Sequence, residues 1–141
     1  MTTISIVKDM FLSLIDDVDL ALLSEDDLEH LMDNWLKLSV MEFHNCKKDL
    51  TITTNNSGEM TFNDELNNEE IGILAYGMLL AWLEPKIRCW DTIKQHTGTS
   101  DFNKLSNANI LLRLNDLQER TEIKLRNLKA RYHSKDLVGL G

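Results

Sequence analysis

A chain of 141 residues, 43% of them hydrophobic, is the size of one domain with a modest core. One Pro and six Gly, with 27% charged and 6% aromatic residues, argue against a disordered chain and fit a helix-rich one. The net charge of −8 disfavours general nucleic-acid binding, and it is unevenly spread: residues 1–70 set four Lys against sixteen Asp and Glu, whereas residues 71–141 set eleven basic against seven acidic side chains.

The opening "MTTISIVKDMFLSLIDD" interrupts its apolar run with Lys8 and Asp9, so neither a signal-peptide core nor a membrane span is expected there. Ile4, Val7, Phe11 and Leu14 recur at helical spacing and predict a short amphipathic helix from Thr3 to about Leu14. Ser24 followed by Glu25, Asp26 and Asp27 is a helix start, with the carboxylates favoured by the helix dipole. Leu28, Leu31, Met32, Trp35, Leu38 and Phe43 form the predicted buried stripe of this second helix. Across Leu50–Asn63 the period changes. Leu50, Ile52 and Thr54 alternate, "NNSG" supplies turn chemistry, and Met60 and Phe62 alternate again, which predicts a β-hairpin. A two-stranded ribbon is marginal alone, so it needs a helix beneath it or strands from neighbouring copies beside it.

"NNEEIGILAYGMLLAWLEPKIRCW" (Asn67–Trp90) reads as the central core helix. Asn67 caps it, Glu70 takes the capping-box position, and Pro85 stops or kinks it, with a turn or two to follow. Gly72 and Gly77 each cost about 1 kcal/mol of helix propensity relative to Ala, which predicts close approach of another backbone. The residues "KQHTGTSDFNKLS" read as a connection, and Ser106 caps the longest helix. Its stripe is Ile110, Leu114, Leu117, Thr121, Leu125, Leu128 and Tyr132, narrow enough to pack on one side only. The predicted core joins Trp35, Leu38, Ile71, Leu74, Met78, Trp82, Leu114, Leu117 and Leu125. The fold class is therefore mainly α: a small helical bundle with a hairpin between the second and third helices and a long C-terminal helix. Residues 1–135 form one domain, and 136–141, "DLVGLG", a flexible tail.

Signs of chemistry are sparse. Cys46 and Cys89 are isolated thiols, expected to stay reduced. Of His30, His44, His96 and His133, only His44 has a nearby soft ligand, Cys46, and no second ligand pair accompanies it; no metal or cofactor is expected. Glu29, His30 and Asp33 share a helix surface, as acidic residues commonly do beside an exposed His. Without a phosphate loop, dinucleotide fingerprint or nucleophile motif, the reading is not an enzyme, with no catalytic residue. Arg113, Arg120, Lys124, Arg126, Lys129, Arg131 and Lys135 make the last helix basic, but Asp116, Glu119 and Glu122 interrupt them. That helix can lie near DNA without gripping it. The acidic and basic halves suit either self-association or two solvated charged faces.

The segments "SEDDLEHLMDNWLKLSVMEF", "DLTITTNNSGEMTFNDELNNEEIGILAYGMLLAWLEPKI", "SDFNKLSNANILLRLNDL" and "RNLKARYHSKD" span Ser24 to Asp136 and carry a resemblance, strongest between Ser24 and Tyr132. Together they resemble the small helical head-to-tail connector proteins of tailed bacteriophages. The resemblance implies a virion protein of the neck, made in the host bacterial cytoplasm: an adaptor that forms a dodecameric ring under the portal protein. Such a ring extends the DNA channel, through which DNA passes without sequence-specific binding, and offers a platform to stopper or tail proteins; no membrane is involved. It also implies that the C-terminal segment reaches a neighbouring ring, with Leu137, Val138 and Leu140 entering a groove and Arg126, Lys129 and Arg131 meeting acidic groups. The alternatives are another neck component, such as a tail-terminator or completion protein, and a stand-alone helical regulator with a single protein partner.

Overall fold

The computed structural model describes residues 2–15, 25–97 and 107–139. In chain order they form α1 (Ile4–Leu14), α2 (Glu25–Glu42), β1 (Ile52–Thr54), β2 (Met60–Phe62), α3 (Asn68–Thr97) and α4 (Asn107–Gly139). The chain is mainly helical, with the hairpin between the second and third helices and the long helix at the C-terminus. The Ser24 and Ser106 caps and most of the 94–106 connection lie outside the described residues.

α3 is the hub, packing against α1, α2 and α4. Three consecutive residues, Ile73, Leu74 and Ala75, are buried, and Met78, Leu79, Trp82, Leu83 and Ile87 continue the burial. A helix apolar on several faces at once has to be enclosed on several sides. Its start is built as the spacing predicts. Asn67 Oδ1 accepts from the Glu70 amide at 2.9 Å, and Glu70 Oε1 accepts from the Asn67 amide at 2.9 Å, a reciprocal capping box.

Pro85 does not stop α3, which runs on to Thr97. The ring sits on the exposed side of the helix, where the Ala81 carbonyl that loses its amide partner can turn to water.

α1 is held to α2 by one buried cation. Lys8 Nζ lies 2.7 Å from Glu29 Oε2 and 2.6 Å from Asp33 Oδ1. Burial pulls the Lys8 pKa down, but the two carboxylates outweigh it and leave it raised. The hairpin pairs Ile52 with Phe62, Thr53 with Thr61 and Thr54 with Met60. Its turn is an Asx structure: Asn55 Oδ1 accepts the amides of Ser57 and Glu59, both at 2.9 Å, and Gly58 takes φ 84°. The second edge of β2 is covered from within the chain. Thr3 bridges Thr61, the Phe62 amide donates to the Thr2 carbonyl at 2.8 Å, and the fully buried Phe62 lies in the core beside α1.

The core departs from the expected set in ways that share a cause. Leu74, Met78, Trp82 and Leu125 are buried, while Trp35, Ile71, Leu114 and Leu117 pack partly buried against them. Leu38 is a correction: it is 50% exposed, and the inward residues of α2 are Met32, Leu36 and Ser39, with Phe43 buried just after its end. Leu38 lies two residues, about 200°, beyond Leu36, on the opposite side of the helix. Ser39 takes the inward place because Gly77 faces it, and Ser39 Oγ donates to the Leu74 carbonyl at 2.7 Å. A Cβ at Gly77 would lie 3.0 Å from Ser39 Cβ and 3.4 Å from its Cα. The close approach expected of both glycines therefore holds at Gly77 alone, since a Cβ at Gly72 would meet nothing within 4 Å.

The two glycines should part company on substitution. Gly72→Ala is expected to stabilise by about 0.5–1 kcal/mol through helix propensity. Gly77→Ala is expected to destabilise by about 1–2 kcal/mol, because wedging α2 from α3 exceeds that gain. Urea unfolding midpoints of the two variants check both signs.

Candidate functional site

Among the described residues, the surfaces most suited to recognition belong to α4 and the groove beside it. What seats α4 is a buried carboxylate. Glu70 is 0% exposed, and Tyr132 of α4 donates its hydroxyl to Glu70 Oε2 at 2.6 Å. The same hydroxyl accepts the Lys47 amide at 3.0 Å, and the Tyr132 ring meets Phe43 edge-on at a centroid distance of 5.4 Å. Cys46 Sγ lies 3.8 Å from Glu70 Oε2, and Lys48 Nζ lies 3.5 Å from Oε1. One carboxylate thus joins the start of α3, the loop after α2 and the C-terminal half of α4.

The electrostatics make this cluster structural in character. Burial, reinforced by Glu70, raises the Tyr132 phenol pKa and keeps it protonated as a donor. Burial likewise raises the Cys46 thiol, with Glu70 adding to the effect, and a protonated thiol is a poor nucleophile. The His44–Cys46 pair does not converge: Cys46 turns to Glu70 while His44 is exposed. Among the described residues no group of three His, Cys, Asp or Glu side chains is arranged to hold a metal ion. Glu29 and Asp33 are both engaged by Lys8, and His30 beside them is exposed.

A groove of about 430 Å³ opens between α2, α3 and α4. Its floor is apolar, with Ile73, Leu80, Ala81 and Leu125, and Gly77 and Ser39 lie where α2 and α3 come closest. Glu42, Glu84 and Glu122, one from each helix, line it as well and are exposed. Leu38 and Met41, 50% and 68% exposed, add apolar surface on α2. Lys129 is the cation in this groove. Its Nζ donates to the Glu42 carbonyl at 3.0 Å, and burial lowers its pKa.

The expected partner-binding residues do not form one patch. Arg126 and Arg131 are exposed, but five residues place them about 140° apart around the helix. Lys129 is turned to α2 of its own chain. The helix continues through Gly139, past the expected domain limit at 135, so Leu137 and Val138 sit on helical backbone; Leu140 lies outside the described residues. The acid-lined groove and the role of Tyr132 were not read from the sequence. The groove depends on a Ser39–Gly77 contact that no hydrophobic pattern marks, and Tyr132 and Glu70 are 62 residues apart.

Comparison with protein families, curated proteins and solved structures finds no match. No described helix is long and apolar enough to cross a membrane.

Tyr132→Phe keeps the ring against Phe43 but removes the donor to Glu70. A buried acceptor that loses its partner costs about 1–3 kcal/mol. The urea midpoint should fall accordingly with an unchanged slope, and a midpoint equal to that of the native chain would place the Tyr132 hydroxyl outside the seat of α4.

Proposed function

We propose that the protein is a structural component of the neck of a tailed bacteriophage, an adaptor that joins its own copies in a ring under the portal protein. In this reading it is not an enzyme and needs no cofactor. The ring extends the DNA channel and gives stopper or tail proteins a surface to assemble on. The observation that carries the reading is the run of segments from Ser24 to Tyr132, an acidic capped helix, a hairpin, an apolar helix and a long charged helix, which resembles that family.

Physical features support a role in assembly. α4 is 33 residues long, about 50 Å, and its outer face is charged. The first seventy residues are strongly acidic while the rest is net basic, and such polarity favours contacts between unlike surfaces, which close into rings when the rotation permits. A channel through which DNA slides must avoid a strong hold on phosphates, because each neutralised phosphate adds salt-dependent affinity. An overall charge of −8 suits that requirement. The C-terminal segment, with Leu137, Val138 and Leu140 and the exposed Arg126 and Arg131, reaches the portal ring.

Electron microscopy of the purified chain mixed with portal rings tests the proposal. The expected result is an added ring of density with the portal's symmetry, lost when residues 136–141 are deleted although the deletion variant remains folded by circular dichroism. A chain that leaves the portal bare, or that forms a discrete complex with one unrelated protein, contradicts it.

A further inference from the structure

α4 carries its charges unevenly around its circumference. Arg113, Arg120, Lys124 and Arg131 are all exposed and follow one another at steps of seven, four and seven residues. At about 100° per residue the four stay within roughly 20° of one line, and at about 1.5 Å per residue that line is roughly 27 Å long. The described residues of α4 within about 45° of it are Asn109, Leu117 and Asn127, none of them acidic. The nearest carboxylate among the described residues of α4, Asp116, stands about 60° away. It meets Arg120 at 2.8 Å, an exposed pair open to exchange of partners. Other elements add cations at each end. Arg113 borders a hollow that α1 and α3 line with Leu14, Ile15 and Trp82, and Lys86 Nζ stands 5.1 Å from the centre of the Trp82 ring. At the far end Lys47 Nζ stands 5.1 Å from the centre of the Tyr132 ring.

An acidic protein surface and the phosphate backbone of a nucleic acid both string out negative charge along such a line. Protein interfaces close over an apolar centre depleted of charge, and this line has none: Leu112 and Ile123, the exposed large aliphatics of α4, lie about 80–100° around the helix from it. Backbone phosphates need no apolar surface, and the guanidinium fork of three of the four residues matches their oxygens. We infer that the line from Arg113 to Arg131 is a contact surface for the phosphate backbone of duplex DNA, held without reading its sequence.

The charge of −8 is carried mainly elsewhere. The acidic excess belongs to residues 1–70, while residues 71–141 are net basic. Glu119 and Glu122 of α4 stand about 120° and 180° around the helix from the line, and salt screens exposed charges beyond about 10 Å. Four contacts, one of them shared with Asp116, make a weak hold along which a duplex can slide. The phosphate contact stands on the line of cations alone; that this side of α4 faces a channel rests on the neck reading.

Fluorescence anisotropy of two short duplexes of unrelated sequence, titrated with the full-length chain, tests the contact. At about 50 mM salt both are expected to bind equally, and affinity to fall about a hundredfold by about 200 mM, the salt dependence of four phosphate contacts. Arg120→Glu with Lys124→Glu is expected to weaken binding at least about tenfold. Lys37→Glu with Arg126→Glu makes the same change of net charge at exposed positions off the line, and is expected to weaken it by less than about threefold. Circular dichroism establishes that both variants are folded.

A native chain that holds neither duplex at low salt overturns the inference, as does an equal loss in the two variants, which assigns binding to net charge alone. A marked preference for one duplex overturns contact with the backbone only. A polyglutamate peptide that displaces DNA at equal charge concentration overturns the choice of nucleic acid over an acidic protein. A chain that joins portal rings but holds no DNA overturns the inference and leaves the neck reading standing. DNA binding with the expected salt and variant pattern, beside portal rings left bare, supports the inference and contradicts the neck reading instead.

Discussion

The carboxylate of Glu70 is the constraint on which the architecture turns. It is fully buried, and a buried carboxylate is tolerable only when donors surround it. The donors come from three parts of the chain: the Asn67 amide at the start of α3, Tyr132 of α4, and Cys46 with Lys48 after α2. The positive end of the α3 dipole adds to their effect. Apolar contact between α3 and α4 tolerates sliding, whereas a hydrogen bond of 2.6 Å at one position fixes register along the axis. The seat of Tyr132 therefore determines which α4 residues stand over the groove and which face away.

Local signals were legible wherever the physics is local. The Asn67-x-x-Glu70 spacing identifies the capping box because both of its hydrogen bonds span three residues. "NNSG" identifies the turn because Asn55 and Gly58 supply the side-chain acceptor and the positive φ that it needs. The stripe on α4 is legible from Ile110 to Tyr132, with Leu111 the buried addition. What escaped depends on partners elsewhere in the chain. The inward face of α2 includes a serine because a glycine opposes it, so apolar periodicity assigned Leu38 to the core and overlooked Leu36. Pro85 reads as a helix terminator until its side of the helix is known to face solvent. Glu70 is visible as a cap, but its second oxygen is committed to a tyrosine that the sequence marks only as one more member of a stripe.

The candidate surfaces follow the same division. The cationic character of the last helix is plain in the sequence, yet its arrangement is not a single patch: Lys129 is drawn into the groove, and Arg126 and Arg131 point to different sides. The acid lining of the groove takes one glutamate from each of three helices, at Glu42, Glu84 and Glu122, and becomes a unit only on folding. An uneven charge distribution along the chain is thereby sorted, among the described residues, into an acid-lined groove and cations on α4.

The central claim is that Glu70 and Tyr132 set the position of α4, and amide hydrogen exchange on Glu70→Gln tests it most directly. The substitution keeps the volume of the side chain but replaces one acceptor oxygen with a donor, so the Asn67 amide and the Tyr132 hydroxyl can no longer both be satisfied as they are. The account predicts that amides of α4 around Leu125–Tyr132 exchange markedly faster while those of α3 around Leu74–Leu83 keep their protection. Unchanged protection in α4, or an equal loss in both helices, would contradict it.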